Sequence, residues 1–224
     1  MPTNPSMPSP YLLPASADPV TGEVEIKRSR FITWVARTGD EDAARALIDL
    51  ARETYPDANH HCSAFIVDGA AANPIERSSD DGEPSGTAGT PMLDVLRGSG
   101  VRDITAVVTR YFGGVKLGAG GLVHAYSNAV SETLGRVALV RREVKERATL
   151  SLPHAEAGRI EAELRARGID VLGVEYGASA LYTLAFAPEE RERVAATVAA
   201  ATHGGGELRG AGHDWVEVPV GRLE

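Results

Sequence analysis

The chain is poor in cysteine, in lysine and in aromatic residues, and each shortage excludes something. Among 224 residues there is one cysteine, Cys62, so no disulfide can close within the chain, and the composition fits a reducing compartment. Only Lys27, Lys116 and Lys145 are lysines among 23 basic residues. Arginine carries the rest, as a GC-rich coding sequence would give, and arginine also grips phosphate bidentately. No apolar run approaches the roughly 18 residues of a membrane span, so no membrane partner is expected. There is no positive excess either: 31 acidic residues against 23 basic ones leave a net charge of -8, which excludes a general nucleic-acid coat. The opening MPTNPSMPSPYLLPAS has neither a positive segment nor a long apolar core. It does not read as a signal peptide, and a cytoplasmic protein is the expectation.

What is present is ordinary globular material, 43% apolar and 24% charged. The length corresponds to about one and a half average domains. Charge is unevenly spread: residues 1–147 carry a net -3 and residues 148–224 a net -5. The Pro- and Ser-rich residues 1–23 read as a flexible tail. A first domain is expected over residues 24–145 and a second over residues 146–224.

In the first domain, Arg30 to Ala36 reads as a strand. Thr38 and Glu41 have capping-box spacing ahead of a helix in which Ala43, Ala44, Leu47, Ile48 and Ala51 repeat at helical spacing, ended by Pro56. His60 to Asp68 is a second strand, and Thr90-Pro91 caps a short helix stopped at Gly98. Ile104 to Phe112 is the strongest strand pattern in the chain. A glycine-rich turn and a helix over about Leu122 to Leu134 follow it. Residues 136–147 read as a charged connector or edge strand. The second domain then runs β-α-β-β-α-β, the split-βαβ, ferredoxin-like order.

Two stretches have the residues for chemistry. RSSDDGEPSGTAGTP, Arg77 to Pro91, holds Asp80, Asp81 and Glu83 with Ser85, Gly86 and Thr87 among turn formers. It predicts an exposed loop long enough to bind something. Its carboxylates suit a hard cation or acid–base work, although the spacing matches no metal-loop pattern; a solvated polar loop has the same composition. RYFGGVKLGAGGL, from Arg110, places Gly113, Gly114, Gly118, Gly120 and Gly121 between a strong strand and a helix. Backbone N–H groups at a helix start attract anions, and Arg110 and Lys116 add charge. The known phosphate cradles do not match, since Ala119 follows Gly118 where a Walker loop needs lysine, and Val123 stands where a dinucleotide fingerprint needs glycine. Tyr111 and Phe112 could stack on a base, but strand alternation lets only one of them point inward. His124 lies early in the helix. His60 and His61 point to opposite strand faces, so no zinc site and no cofactor is expected, and Cys62 reads as a small core residue.

These residues carry a resemblance. RSRF at Arg28 to Phe31, HHCSAFIV at His60 to Val67, SSDDGEPSGTAGTPML around Ser79, and VVTRYFGGVKLGAGGLVHAYSNA together resemble the YigZ/IMPACT family, bacterial two-domain type. The resemblance implies an α+β fold: an N-terminal domain like domain 2 of ribosomal protein S5, and a C-terminal ferredoxin-like domain similar to domain V of elongation factor G. It also implies a translation setting. Eukaryotic relatives regulate translation initiation with an additional domain that this sequence does not show, so their kinase-pathway role does not transfer. No catalytic residue is implied.

The leading expectation is a non-enzymatic, translation-associated protein that binds RNA, a ribonucleoprotein, the ribosome or a translation factor. The binding candidates are Arg110, Tyr111, Phe112, Gly113, Gly114, Lys116, Gly118, Gly120, Gly121 and His124. The acidic loop opposes phosphate binding unless it faces elsewhere. An enzyme acting on a nucleotide or phosphorylated metabolite through both loops is the alternative, and a protein-interaction module is the third reading.

Overall fold

The computed structural model describes residues 9–68 and 74–223 of the chain. These form an α+β protein of two compact units, one made of Tyr11–Arg141 with the residues from Val218, the other of Arg142–Glu217 with Ser9 and Pro10.

The first unit is a five-stranded antiparallel sheet in the order β2-β3-β6-β4-β5. Its strands are β2 (Val20–Ile26), β3 (Ser29–Arg37), β4 (His60–Val67), β5 (Ile75–Ser79) and β6 (Ile104–Tyr111). A short strand β1 (Tyr11–Pro14) precedes them. Helix α1 (Glu41–Thr54) covers one face, while α2 (Gly89–Ser99) and α3 (Ala119–Leu134) cover the other. Alternation sorts the strand residues. Val35, Cys62, Ala64, Ala106 and Val108 pack with Met92, Leu96, Ala125 and Tyr126. Their neighbours Ala36 and Val107 face Leu47, Ile48 and Ala51 of α1. Burial on both faces explains the near-continuous apolar run of β6.

Then β7 (Leu139–Leu152), α4 (His154–Ala166), β8 (Asp170–Tyr176), β9 (Ala180–Phe186), α5 (Arg191–Ala201) and β10 (Leu208–Gly221) follow one another, the second unit taking β7 from Arg142 and β10 as far as Glu217. In this sheet β7 pairs with β9 and β9 with β8, and both β1 and β10 pair with β7. Leu150, Tyr182 and Leu184 bury one face of the sheet against Ile160, Leu164, Val194 and Val198. No helix among the described residues is long and apolar enough to cross a membrane.

Four expectations change. The stretch read as a flexible tail contains β1 and the start of β2; its residues 1–8 lie outside the described residues. Leu13 is fully buried, the Arg102 N–H donates to the Leu12 carbonyl at 2.8 Å and the Ala15 N–H to the Ala138 carbonyl at 2.8 Å. Distant backbone, which local composition cannot reveal, fixes this segment. Of residues 136–147, read as a charged connector or edge strand, 139–147 are the first part of the long strand β7, which pairs with β1, β9 and β10 rather than lying at an edge. Asp40, not Thr38, caps α1, accepting from the Ala43 N–H at 2.7 Å, while Thr38 is buried against Thr105 at 2.6 Å. Thr90 lies inside α2, and Asp80 supplies that helix with its acceptor.

If Leu13 is part of the core, Leu13→Ala is expected to cost about 2–5 kcal/mol in chemical denaturation, as buried leucine truncations do. A loss below about 0.5 kcal/mol would mark the segment as a dispensable arm.

Candidate functional site

The register of the sheet builds the site. Pairing of β3 with β6 sets Phe31 opposite Arg110, and pairing of β4 with β6 sets His60 opposite Arg110. Arg110 therefore sits between two strands at the end of the sheet, where β6 runs into the glycine-rich segment. The acidic segment after β5 folds over the same end. The two loops thus line one cleft of about 430 Å³, bounded by Asn59, His60, Glu83, Pro84, Arg110, Phe112, Leu122 and the stretch from Lys116 to Ala119.

The acidic segment is not a bare loop: Glu83 and Thr87 to Gly89 are buried, while Gly82 and Pro84 to Gly86 are exposed. Asp80 accepts from the backbone N–H groups of Gly86 at 2.8 Å, Ala88 at 3.0 Å and Gly89 at 2.8 Å, and so closes the start of α2. Burial works against its ionised form, but those three donors outweigh burial and hold the carboxyl below the usual range. Asp81 accepts from the His61 backbone N–H at 2.6 Å and pairs with Arg52 at 3.2 Å. Glu83 is only 8% exposed and Arg110 only 4%. They form an ion pair at 2.5 Å, and the same oxygen, Oε1, accepts from the Tyr126 hydroxyl at 2.8 Å. Arg110 also donates to the Ser29 hydroxyl at 3.2 Å, and its guanidinium lies 5.3 Å from the Phe31 ring centroid and 5.6 Å from that of Phe112. Ser85 is exposed, and Thr87 folds back to donate to the Pro84 carbonyl at 2.6 Å.

The glycine-rich side divides by cause. Gly113 packs so closely on the preceding turn that a Cβ would lie 2.0 Å from the Arg28 carbonyl oxygen. Gly118 begins α3 with φ +76°, which suits glycine, and no side chain caps this helix. The first N–H groups of α3 are therefore open at the cleft. Lys116 is exposed and has no ion-pair partner among the described residues. Phe112 is 47% exposed, with its N–H fixed by the Asn59 side chain at 2.7 Å.

Of the residues singled out from sequence, the cleft gathers Arg110, Phe112, Lys116, Gly118 and Glu83. Tyr111 is held outside the lining by Asp57 at 2.7 Å, and His124, although exposed on α3, does not line the cleft. Gly113 and Gly114 shape the turn, and Gly120 and Gly121 lie just beyond the lining. Arg110 is committed to Glu83, so it supports the cleft rather than offering a free charge to phosphate. Asn59, Pro84, Leu117 and the role of His60 were missed. His60 was legible, because its strand position relative to Arg110 follows once β4 and β6 are paired.

The two histidines take opposite faces. His61 is buried against the Thr109 hydroxyl at 3.0 Å, and burial, opposed by the Asp81 charge, lowers its pKa. His60 turns to the cleft, with Nε2 3.9 Å from Glu83 Oε2. Cys62 is fully buried, 3.0 Å from the Asp80 carbonyl and 3.3 Å from the Tyr126 hydroxyl. Burial pushes its thiol up to about 12, with Tyr126 opposing and the nearby carboxylates adding. Burial likewise raises the Tyr126 hydroxyl, helped by Cys62 and Glu83. Neither group is a nucleophile at neutral pH.

Two measurements check this electrostatic picture. The native protein is expected to resist iodoacetamide at pH 8 for as long as the urea-denatured chain takes to alkylate fully, read by mass; rapid labelling of the native state would contradict a buried, protonated Cys62. Because the Asp80 carboxyl is depressed on folding, its contribution is present above the unfolded value of about 4 and is lost as pH falls through the folded value. Asp80→Asn, which keeps one acceptor oxygen and removes the charge and the second, is therefore expected to cost about 1 kcal/mol at pH 7. The gap from wild type should narrow in denaturation curves below about pH 4, and a pH-independent gap would refute the assignment.

Comparison with known proteins agrees with this division of the chain. Residues 27–134 match the Impact N-terminal domain, and residues 150–204 match a domain of unknown function, DUF1949. The IMPACT family member YigZ of Escherichia coli is 43% identical over 175 residues, which are 78% of this chain and 85% of YigZ. The crystal structure of a hypothetical protein overlays with a TM-score of 0.57 at 40% identity, covering 89% of this chain and 96% of that one. The two-domain translational regulator Yih1 is 30% identical, covering 60% of this chain and 49% of its own, with a TM-score of 0.35. Matched to YigZ over most of both proteins, the chain belongs to the IMPACT family.

Proposed function

We propose that this protein is a non-enzymatic, translation-associated factor that engages RNA, alone or within a ribonucleoprotein, through the cleft of its first unit. The observation that carries the reading is the convergence of three features on that cleft. An exposed aromatic ring, Phe112, offers a stacking surface. Lys116, which has no ion-pair partner among the described residues, and the start of α3, which has no side-chain cap there, offer sites for phosphate.

The acidic segment no longer opposes this. Asp80 is taken up by backbone donors, Asp81 by Arg52 and the His61 N–H, and Glu83 by Arg110. The three carboxylates do not face the solvent as a block of negative charge. The translation setting rests on IMPACT family membership. The strand order β10-β7-β9-β8 supports a ferredoxin-like second domain similar to domain V of elongation factor G, beside a first domain like domain 2 of ribosomal protein S5. A translation factor or the ribosome is the partner this implies, and the reducing compartment suggested by composition is the cytoplasm.

A second reading has one specific observation behind it. A buried carboxylate and an imidazole face each other across the cleft, Glu83 and His60, an arrangement suited to moving a proton on a bound phosphorylated metabolite.

Fluorescence anisotropy with a labelled single-stranded RNA of mixed sequence, titrated across salt, tests the first reading. Binding is expected to weaken linearly on log–log axes as salt rises. Phe112→Ala should weaken it by about 5- to 150-fold, the range for one stacked base. Lys116→Ala should lower the salt slope by about 0.7–1. Absence of salt-sensitive binding, or variants indistinguishable from wild type, would sink the proposal. Turnover of a phosphorylated metabolite without any RNA binding would favour the second reading.

A further inference from the structure

Inside the cleft, two acceptors converge with no donor between them. His60 Nδ1 lies 2.8 Å from the Asp81 carbonyl oxygen. A carbonyl only accepts, so Nδ1 holds the proton, and in the neutral ring Nε2 presents a lone pair. That lone pair points toward Glu83 Oε2, 3.9 Å away and beyond hydrogen-bond reach. Oε1 of the same carboxylate already accepts from Arg110 and Tyr126, whereas Oε2 has no such donor in the structure. Glu83 is more than nine-tenths buried, so its free oxygen faces the cleft from a fixed position rather than sampling solvent. Neither atom is sealed from the cleft, and among the described residues no donor lies between them, so both are open to a donor that enters from outside.

We infer that the cleft reads a nucleobase by its exocyclic amino group, with His60 Nε2 and Glu83 Oε2 as paired acceptors. This rests on the RNA reading and narrows it. An amino nitrogen placed about 2.9 Å from each acceptor can donate one N–H to each, because the two acceptors then subtend close to a right angle at that nitrogen. Cytosine, adenine and guanine carry such a group. Uracil has in its place a carbonyl oxygen, which would meet the carboxylate and the imidazole lone pair with repulsion. Phe112 at the mouth supplies the stacking face, and Lys116 with the start of α3 lies on the side where a phosphate would sit. The cleft volume of about 430 Å³ falls in the ordinary range for small-ligand sites and suits one nucleotide rather than a duplex.

Cytidine and uridine monophosphate make the test, because they share ring size, ribose and phosphate and differ at the base edge that is read. Calorimetric titration of the full-length protein at fixed salt is expected to show cytidine monophosphate binding at least tenfold more tightly than uridine monophosphate. His60→Ala, a change at a partly exposed position, should bring the ratio to within about twofold of unity by weakening the cytidine nucleotide more than the uridine nucleotide. Glu83→Gln should do the same or invert the preference, and its melting curve reports whether the fold survives. Equal affinity for the two nucleotides, no binding of either at millimolar concentration, or an unchanged ratio in His60→Ala would overturn the inference. Oligo(C) and oligo(U) separate the two proposals. Salt-sensitive binding of both with equal affinity keeps the RNA reading and removes base selection. Discrimination between the mononucleotides with no oligonucleotide binding keeps base selection and removes the RNA reading.

Discussion

The Glu83–Arg110 ion pair is the contact through which the elements around the cleft are tied. Removing both charges from water costs several kcal/mol per ion, and further bonds offset part of that cost. Tyr126 on α3 donates to Glu83 Oε1 and Ser29 on β3 accepts from the Arg110 guanidinium, with Phe31 and Phe112 close to it, while Arg110 Nε has no partner among the described residues. Arg110 itself is positioned by the register of three strands. One slip in that register would move it to the other face of the sheet and strand Glu83 without a partner. The cleft therefore inherits its geometry from the strand pairing, and the pair transmits it to the loop.

Asp80 and Asp81 finish the work on the loop side. One carboxylate closes the start of α2, and the next binds the first residues of β4 and Arg52 of α1. With Glu83 they connect all three helices and two central strands of the unit through four residues of chain. A segment of this composition read alone is polar, turn-rich and solvated. What orders it lies far off in sequence: Arg110 is 27 positions from Glu83 and Tyr126 is 43. The main helices, β6 and the second-half order of elements were legible because each announces itself by period within a short window. β1 was not, since its order depends on the backbone of Arg102 and Ala138. β5 was not, since IERSS is a polar edge strand without an apolar face. The capping assignments failed for a related reason. Thr38 and Thr90 had the right spacing, but Asp40 is a stronger local cap, and Asp80 reaches the start of α2 from nine residues before Gly89.

Charge shows how an average misleads at a site. The net -8 of the chain excludes a coat that holds nucleic acid by bulk attraction. It does not bear on a cleft where Glu83 is paired with Arg110 and where Lys116 has no ion-pair partner among the described residues. Such a cleft has little long-range pull. If the cleft binds RNA as proposed, its affinity has to come from stacking and from a few directed hydrogen bonds, and contacts of that kind carry selectivity while phosphate contacts carry position. Arg110, the most conspicuous basic residue in the sequence motif, is buried against Glu83 and lines the cleft as part of its wall.

The glycines of the motif point the same way once their local causes are separated. Gly113 is required by the approach of the Arg28 backbone, and Gly118 by the left-handed turn that starts α3. Gly120 has no such cause: a Cβ there would meet nothing within 4 Å, and helical positions ordinarily favour alanine over glycine by about 1 kcal/mol. Packing against neighbouring side chains does not require a bare backbone at that point. On the proposed reading, glycine there keeps the first turn of α3 open to approach on the side of Lys116, Gly118 and Ala119, which line the cleft.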